Sequence, residues 1–211
     1  MPEPRSAPRP AVAVFDVDGT LTIGDCVLPF LRRAAGTRLV TTLLRHPLAL
    51  ATGLARRDRD RVKALACASL AGIPGAEIDR LGEAFAREVA ATGLRDDTTT
   101  RLRRHRERGH TVVLASASLD PYLVPLGRVL GADEIVCTTL ERDAAGRLTG
   151  RLAGANCRGA EKARRVRALL DERGLADAEV WAYGDSAGDE PLLAGADHAL
   201  RVDGVRVVPD P

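Results

Sequence analysis

The chain has 211 residues, 45% of them hydrophobic, enough to bury one good core with room for a smaller inserted module. Its 31 basic and 29 acidic residues leave a net charge of +2, so no global field recruits nucleic acid or anionic lipid, and an aromatic content of 3% argues against base-stacking surfaces. The four cysteines, Cys26, Cys67, Cys137 and Cys157, are widely spaced without a C-x-x-C pair, which predicts buried, reduced thiols in a cytoplasmic protein.

The opening stretch "MPEPRSAPRP" lacks the apolar segment of a secretory signal and is expected to form a flexible tail over residues 1–10. No apolar run long enough to span a bilayer follows it. The β-branched run "AVAVF" (11–15) fits a buried parallel strand. Residues 25–95 carry no strand pattern. There "CVLPFLRRAA", "RLVTTLLRHPLALATGLA", "DRVKALACASLAG" and "GAEIDRLGEAFAREVAA" each read as a helix, punctuated by Gly36, Gly53, Gly72 with Pro74, and Gly93. About seventy residues of helix exceed what a crossover between two strands needs, so the block is expected to be an inserted cap. The second of these helices is unusually apolar. Packing against the other cap helices, lining a pocket for a lipid or isoprenoid phosphate, and resting on a membrane surface are its three readings.

Beyond the cap come a helix at 97–108, a strand at 111–116, a helix at 121–130 with Pro121 in its first turn, and a strand at 134–139. A small hairpin over 140–153, turning near Gly146, precedes a helix at 160–173 and strands at 179–184 and 197–202. This alternation predicts an α/β fold, a Rossmann-like doubly wound parallel sheet, with residues 11–24 and 96–208 as the core and 25–95 as the all-helical cap.

Ligands of such sheets bind beyond the carboxyl ends of the strands, where four sequence-distant groups converge. Asp16 and Asp18 follow the first strand; Ser116, Ala117 and Ser118 end the second; Asp185, Ser186 and Asp189 follow "EVWAYG"; and Lys162 opens the helix before it. Two carboxylates so close together call for a hard divalent cation between oxygens of Asp16, the Asp18 carbonyl and Asp185, with Mg2+ the expected cofactor. One aspartate then suits nucleophilic attack on phosphorus and the other proton exchange with the leaving group, while Gly19 permits a sharp turn and Thr20 is placed to hold the acid. Ser116, the Ala117 amide and Lys162 suit the charge of a transferring phosphoryl group. The chain uses two lysines, Lys63 and Lys162, against 29 arginines, so each lysine invites a reason.

Other polar residues read more plainly. Ser118 and Asp120 suit capping of the helix at Pro121 as well as they suit substrate contact, and Asp189 suits either the site or a cap. His46, His105, His110 and His198 are expected at the surface. Lys63 points either into the site from the cap or onto a solvated face, and Cys157 and Arg158 lie close enough to Lys162 in sequence to add a donor near the phosphate.

D-x-D-G-T (Asp16 to Thr20), the strand ending at Ser116, the helix-opening Lys162 and G-D-S-x-x-D (Gly184 to Asp189) together resemble the four motifs of the haloacid dehalogenase superfamily. With the helical insertion after the first motif, the chain is similar to its phosphoserine phosphatase-like subfamily, subfamily IB. The resemblance implies a phosphatase in which Asp16 becomes an aspartyl phosphate, Asp18 is the general acid and base, and Ser116 and Lys162 bind the phosphoryl group. It also implies that Asp185 holds magnesium, with Asp189 supporting the metal or Lys162. Phosphoserine phosphatases grip their substrate with a glutamate and a cap arginine, where this chain has Asp25 and Lys63 or Ala64. The expected substrate is therefore a small metabolite phosphate or a lipid or isoprenoid phosphate. A phosphotransferase using the same intermediate and a non-catalytic scaffold are the alternatives. A monomer or homodimer, with peripheral membrane contact left open, completes the expectation.

Overall fold

A computed structural model describes residues 9–202. The first eight residues of the expected tail and residues 203–208 of the expected core lie outside the described residues. Strand β1 (Ala11–Phe15) is followed by α1 (Val27–Ala35), α2 (Thr37–Arg45), α3 (Pro47–Ala55), α4 (Arg59–Cys67), a 3-10 turn at Ala68–Leu70, and α5 (Gly75–Thr92). Then come α6 (Asp96–Glu107), β2 (Thr111–Leu119), α7 (Asp120–Leu130), β3 (Glu134–Thr138), and a β4 (Leu140–Arg142) and β5 (Leu148–Leu152) pair. Helix α8 (Ala160–Glu172), β6 (Glu179–Gly184), α9 (Glu190–Ala194) and β7 (His198–Arg201) complete the described chain.

The five long-range strands form a parallel sheet in the order β3-β2-β1-β6-β7, and β4 and β5 form a separate antiparallel ribbon. Because side chains alternate across a strand, β1 feeds two cores. Val12 and Val14 pack with Val113, Val166, Leu170, Leu192 and Leu193 on the α8–α9 face. Ala13 and Phe15 pack with Leu114, Leu102, Leu123 and the helical insert on the other. The chain leaves β1 toward β2 on one side and is joined by β6 on the other, so the carboxyl end of β1 is the switch point of the sheet. Register fixes what meets there: Phe15 pairs with both Leu114 and Tyr183, and the Asp16 N–H donates to the Tyr183 carbonyl at 2.9 Å.

All six aromatic residues fall in two groups. Phe15 stacks on Tyr183 with centroids 4.2 Å apart, and His105 sits between Tyr183 and Trp181. Phe30, Phe85 and Tyr122 interlock α1, α5 and α7. Helix α5 lies so close to α7 that a β-carbon on Gly82 would collide with the Pro121 carbonyl, so this contact requires glycine.

Five local expectations are corrected. The apolar helix expected across 38–55 is two helices, because Pro47 has no N–H to donate and drives His46 out of the helical region, to φ −126° and ψ 53°. The expected helix at 60–72 ends at Cys67 and tightens into the 3-10 turn. Strand β2 runs to Leu119 through a register shift against β3 between Ala115 and Leu119, the stretch that carries Ser116 and Ala117 of the cleft. His105, expected at the surface, is 1% exposed; its Nε2 lies 2.8 Å from the Tyr183 hydroxyl and its Nδ1 2.9 Å from His110. Arg9 and Pro10, at the end of the expected tail, are held to the amino end of β6 through the Asp177 and Ala178 carbonyls and the Glu179 N–H.

Candidate active site

The loop after β1 is wound tightly by its own backbone: the N–H groups of Thr20, Leu21 and Thr22 all point at the Val17 carbonyl, at 2.9–3.2 Å. Gly19 takes φ +85°, and a β-carbon there would strike the Asp185 carboxylate, so the glycine of D-x-D-G-T lets two acidic loops approach. Asp16 emerges at the switch point, 5% exposed, with Oδ1 2.6 Å from the Lys162 Nζ. Lys162, delivered from the first turn of α8, is itself 2% exposed and donates a second bond to Asp189 Oδ1 at 2.5 Å. The other Asp189 oxygen accepts from the Ser186 N–H and hydroxyl, so Asp189 orients the lysine and closes its own loop without capping α9 through its side chain.

Asp18 faces a different way. Its Oδ1 accepts from the Cys26 N–H at 2.9 Å and its Oδ2 from the Ser118 hydroxyl at 2.6 Å. Ser118, weighed above as a cap or a substrate contact, is thus the residue that aims Asp18, and its own N–H donates to Ser116 Oγ at 3.0 Å. Asp120 accepts from the Leu140 N–H and ties α7 to β4. Thr20 is fully buried and does not line the cleft; its hydroxyl lies 3.4 Å from Asp185 Oδ1. Asp25 stands at the rim, accepting from the Val27 and Leu28 N–H groups at the start of α1.

Carboxylate oxygens of Asp16, Asp185 and Asp189 lie within 4.8 Å of one another, a set able to hold a metal ion; the Asp18 carboxylate is outside it. Three carboxylates around one ammonium leave the cluster short of positive charge, and the donors are all hard oxygens, so the residues fit a hard divalent cation. Burial pushes the Asp16 carboxyl up to about 7, Lys162 pulling it down and Asp189 and Asp18 pushing it further up. Burial also raises Asp18, against the bonds from Ser118 and Cys26, and raises Asp185, with Asp189 adding to the rise. Burial works against the charge of Lys162, but Asp16 and Asp189 outweigh it and keep the ammonium charged.

Above this floor opens a cleft of about 670 Å³. Its polar base is Asp16, Asp18, Ser116, Lys162 and Asp185, and its wall sets the apolar Val27, Leu28 and Leu31 of α1 and Val62 and Ala66 of α4 beside the charged Arg57, Asp58 and Arg59. Lys63 reaches in from α4, donating to the Ala117 carbonyl and, at 2.7 Å, to Asn156 Oδ1. Asn156 was missed in the sequence. It accepts also from Thr138 at 2.7 Å and donates to Asp60 at 2.6 Å, joining α4 to the sheet edge, and its only sequence signal is its place in "NCRGAEK" before Lys162. Arg158 lines the cleft, whereas Cys157 is buried with its N–H on Thr138.

A family model for haloacid dehalogenase-like hydrolases matches residues 13–194. The chain is 38% identical over 192 residues to the protein CicA of Caulobacter vibrioides, covering 90% of this chain and 84% of that one. It is 32% identical over 199 residues to the phosphoserine phosphatase SerB1 of Mycobacterium tuberculosis, covering 91% of this chain and 64% of the relative. The solved structure of a Bordetella pertussis protein of unknown function is similar to it with a TM-score of 0.72 at 26% identity, over 88% of this chain and 86% of that one.

Proposed function

Because the chain belongs to the haloacid dehalogenase-like hydrolases and is a phosphatase of the phosphoserine phosphatase-like type, we propose that it hydrolyses a phosphomonoester through an aspartyl phosphate on Asp16. The observation that carries this reading is the position of the Asp16 carboxylate: on the floor of the cleft, 2.6 Å from the Lys162 ammonium and within reach of Asp185 and Asp189. An Asp16 oxygen bonds to phosphorus as the ester oxygen leaves, and Asp18 gives the leaving alcohol its proton. Asp18 then takes a proton from water, whose oxygen bonds to phosphorus as the Asp16–phosphorus bond breaks, releasing phosphate and restoring the carboxylate. The raised Asp18 supports the role of proton donor, and Ser118 and the Cys26 N–H hold its orientation.

Asp16, Asp185 and the Asp18 carbonyl would hold Mg2+, which when bound offsets the charge of the phosphoryl oxygens. Ser116, the Ala117 N–H and Lys162 grip those oxygens, Asp189 positions Lys162, and Thr20 acts through Asp185. Residues 25–95 form a cap over a core of 11–24 and 96–202, closed onto it by Lys63 and Asn156 and opening to admit substrate. Both Asp25 oxygens already accept from α1, limiting it to a rim contact, so the α1 and α4 wall favours an ester whose leaving group is substantially apolar. Four free cysteines support a cytoplasmic, reducing setting.

The test is phosphate release with magnesium, with and without chelator, across serine phosphate, sugar phosphates, nucleotides, lysophosphatidate and prenyl phosphates. Asp18→Asn is expected to accumulate a phosphorylated protein visible by mass spectrometry, and Asp16→Asn to abolish that adduct and slow turnover by about 10³-fold or more. Wild-type rates in Asp16→Asn would overturn the mechanism, and a preference for serine phosphate would overturn the substrate class alone.

A further inference from the structure

The near-neutral charge of the whole chain conceals a one-sided segment. From Cys26 to Arg57 there are six arginines and no acidic residue. Two of those arginines are engaged, Arg33 with Glu88 at 2.6 Å and Arg38 with the Ala71 carbonyl at 2.6 Å. Arg45, Arg56 and Arg57 are exposed and make no ion pair among the described residues. Between Arg45 and Arg56 lies α3, "PLALATGLA", a helix without a single charge. A helix apolar on all sides normally lies inside a core or in lipid. Here only Gly53 is buried, and Leu48 is 81% and Leu54 61% exposed, continuing the exposed Val40 and Leu44 of α2. Nothing among the described residues covers this surface.

We propose that the α2–α3 apex docks this protein onto anionic lipid bilayers, its leucines entering the headgroup–acyl boundary and its arginines resting on the headgroups. Nine residues per helix are far too few to cross a bilayer, and no described helix is long and apolar enough to do so, which makes the contact interfacial. Charge selects the occupant. Asp58 and Asp60 follow the segment, but Arg59 and Arg61 alternate with them and leave residues 45–61 with a net positive charge, so a second copy packed about a two-fold axis would set like charge against like, whereas an anionic bilayer complements it. Arg57 and Gly53 also border the cleft, so a docked apex holds the mouth of the cleft beside the lipid surface. The docking does not depend on which ester the site hydrolyses.

Flotation of the full chain tests this with vesicles of phosphatidylcholine alone and of phosphatidylcholine with phosphatidylglycerol. Binding is expected on the anionic vesicles only and should weaken as salt rises. The double variant Leu44→Ser/Leu48→Ser should lower partitioning by about tenfold or more, and Arg45→Gln/Arg56→Gln should weaken it on anionic vesicles, both with unchanged thermal melting. Three results would overturn the proposal: no flotation on anionic vesicles, flotation unchanged in the serine variant, or a dimer in sedimentation that dissociates in the serine variant while the wild type stays off vesicles.

Discussion

The floor of the cleft and the α2–α3 apex invert each other. At the floor, Asp16, Lys162 and Asp189 are ionisable, at most 5% exposed, and each has a named partner within 2.6 Å. At the apex, Val40, Leu44, Leu48 and Leu54 are apolar and more than half exposed. Burying charge is tolerated only where geometry supplies partners, so the floor is rigidly specified and intolerant of change. Exposing apolar surface costs no specific contact in the fold, so the apex is free to serve something outside it.

Lys162→Gln would sharpen that contrast most. It strips the single cation from two buried carboxylates, and a loss of about 3 kcal/mol or more in unfolding free energy is expected, measured by denaturant titration in chelator. A variant as stable as the wild type would mean the floor is not the specified region it looks.

Next in size is a pH effect away from the floor. Burial, with His110 and two arginines nearby, pushes His105 down to about 4. The folded chain therefore leaves this ring neutral between about pH 6.5 and 4, where the unfolded chain protonates it. Its contribution to stability is complete above about pH 6.5 and is lost as pH falls toward 4, by about 2–3 kcal/mol. Asp16 and Asp18, with raised values, act in the opposite sense over part of that range, so the readout is the wild-type slope minus that of His105→Gln. Identical slopes would break the argument.

The smallest effect belongs to the apex. Leu48→Ser should shift unfolding by less than about 0.5 kcal/mol, because an 81% exposed side chain has little burial to lose. A loss as large as that at the floor would show that the apex is specified by the fold after all.

What could be read from the sequence follows the same division. Strands 11–15 and 179–184, and the order of the acidic and lysine motifs, were legible because each depends on residues adjacent in the chain and on the switch-point rule. Lys63 and Ser118 were left between two readings each and Asn156 had none, since their partners come from elements whose mutual approach no local pattern encodes. His105 misled because arginines surround it in sequence, while the helix turns it alone toward Tyr183. Pro47 stood in plain view as a helix breaker, yet the apolar run across it dominated the reading. That same apolarity suggested packing first, whereas the helix lies mostly open.

The backbone contact at Gly82 sets how the insert can move. With α5 pressed against the Pro121 carbonyl and Phe85 wedged between Phe30 and Tyr122, α5 cannot slide or roll on α7 without a clash. The insert thus divides mechanically into an anchored root, α1 with α5, and an arm, α2 to α4, bounded by left-handed glycines at Gly36 and Gly72. An opening of the proposed cap that pivots at those two points would carry Lys63 away from Ala117, and the leucine-studded tip with it.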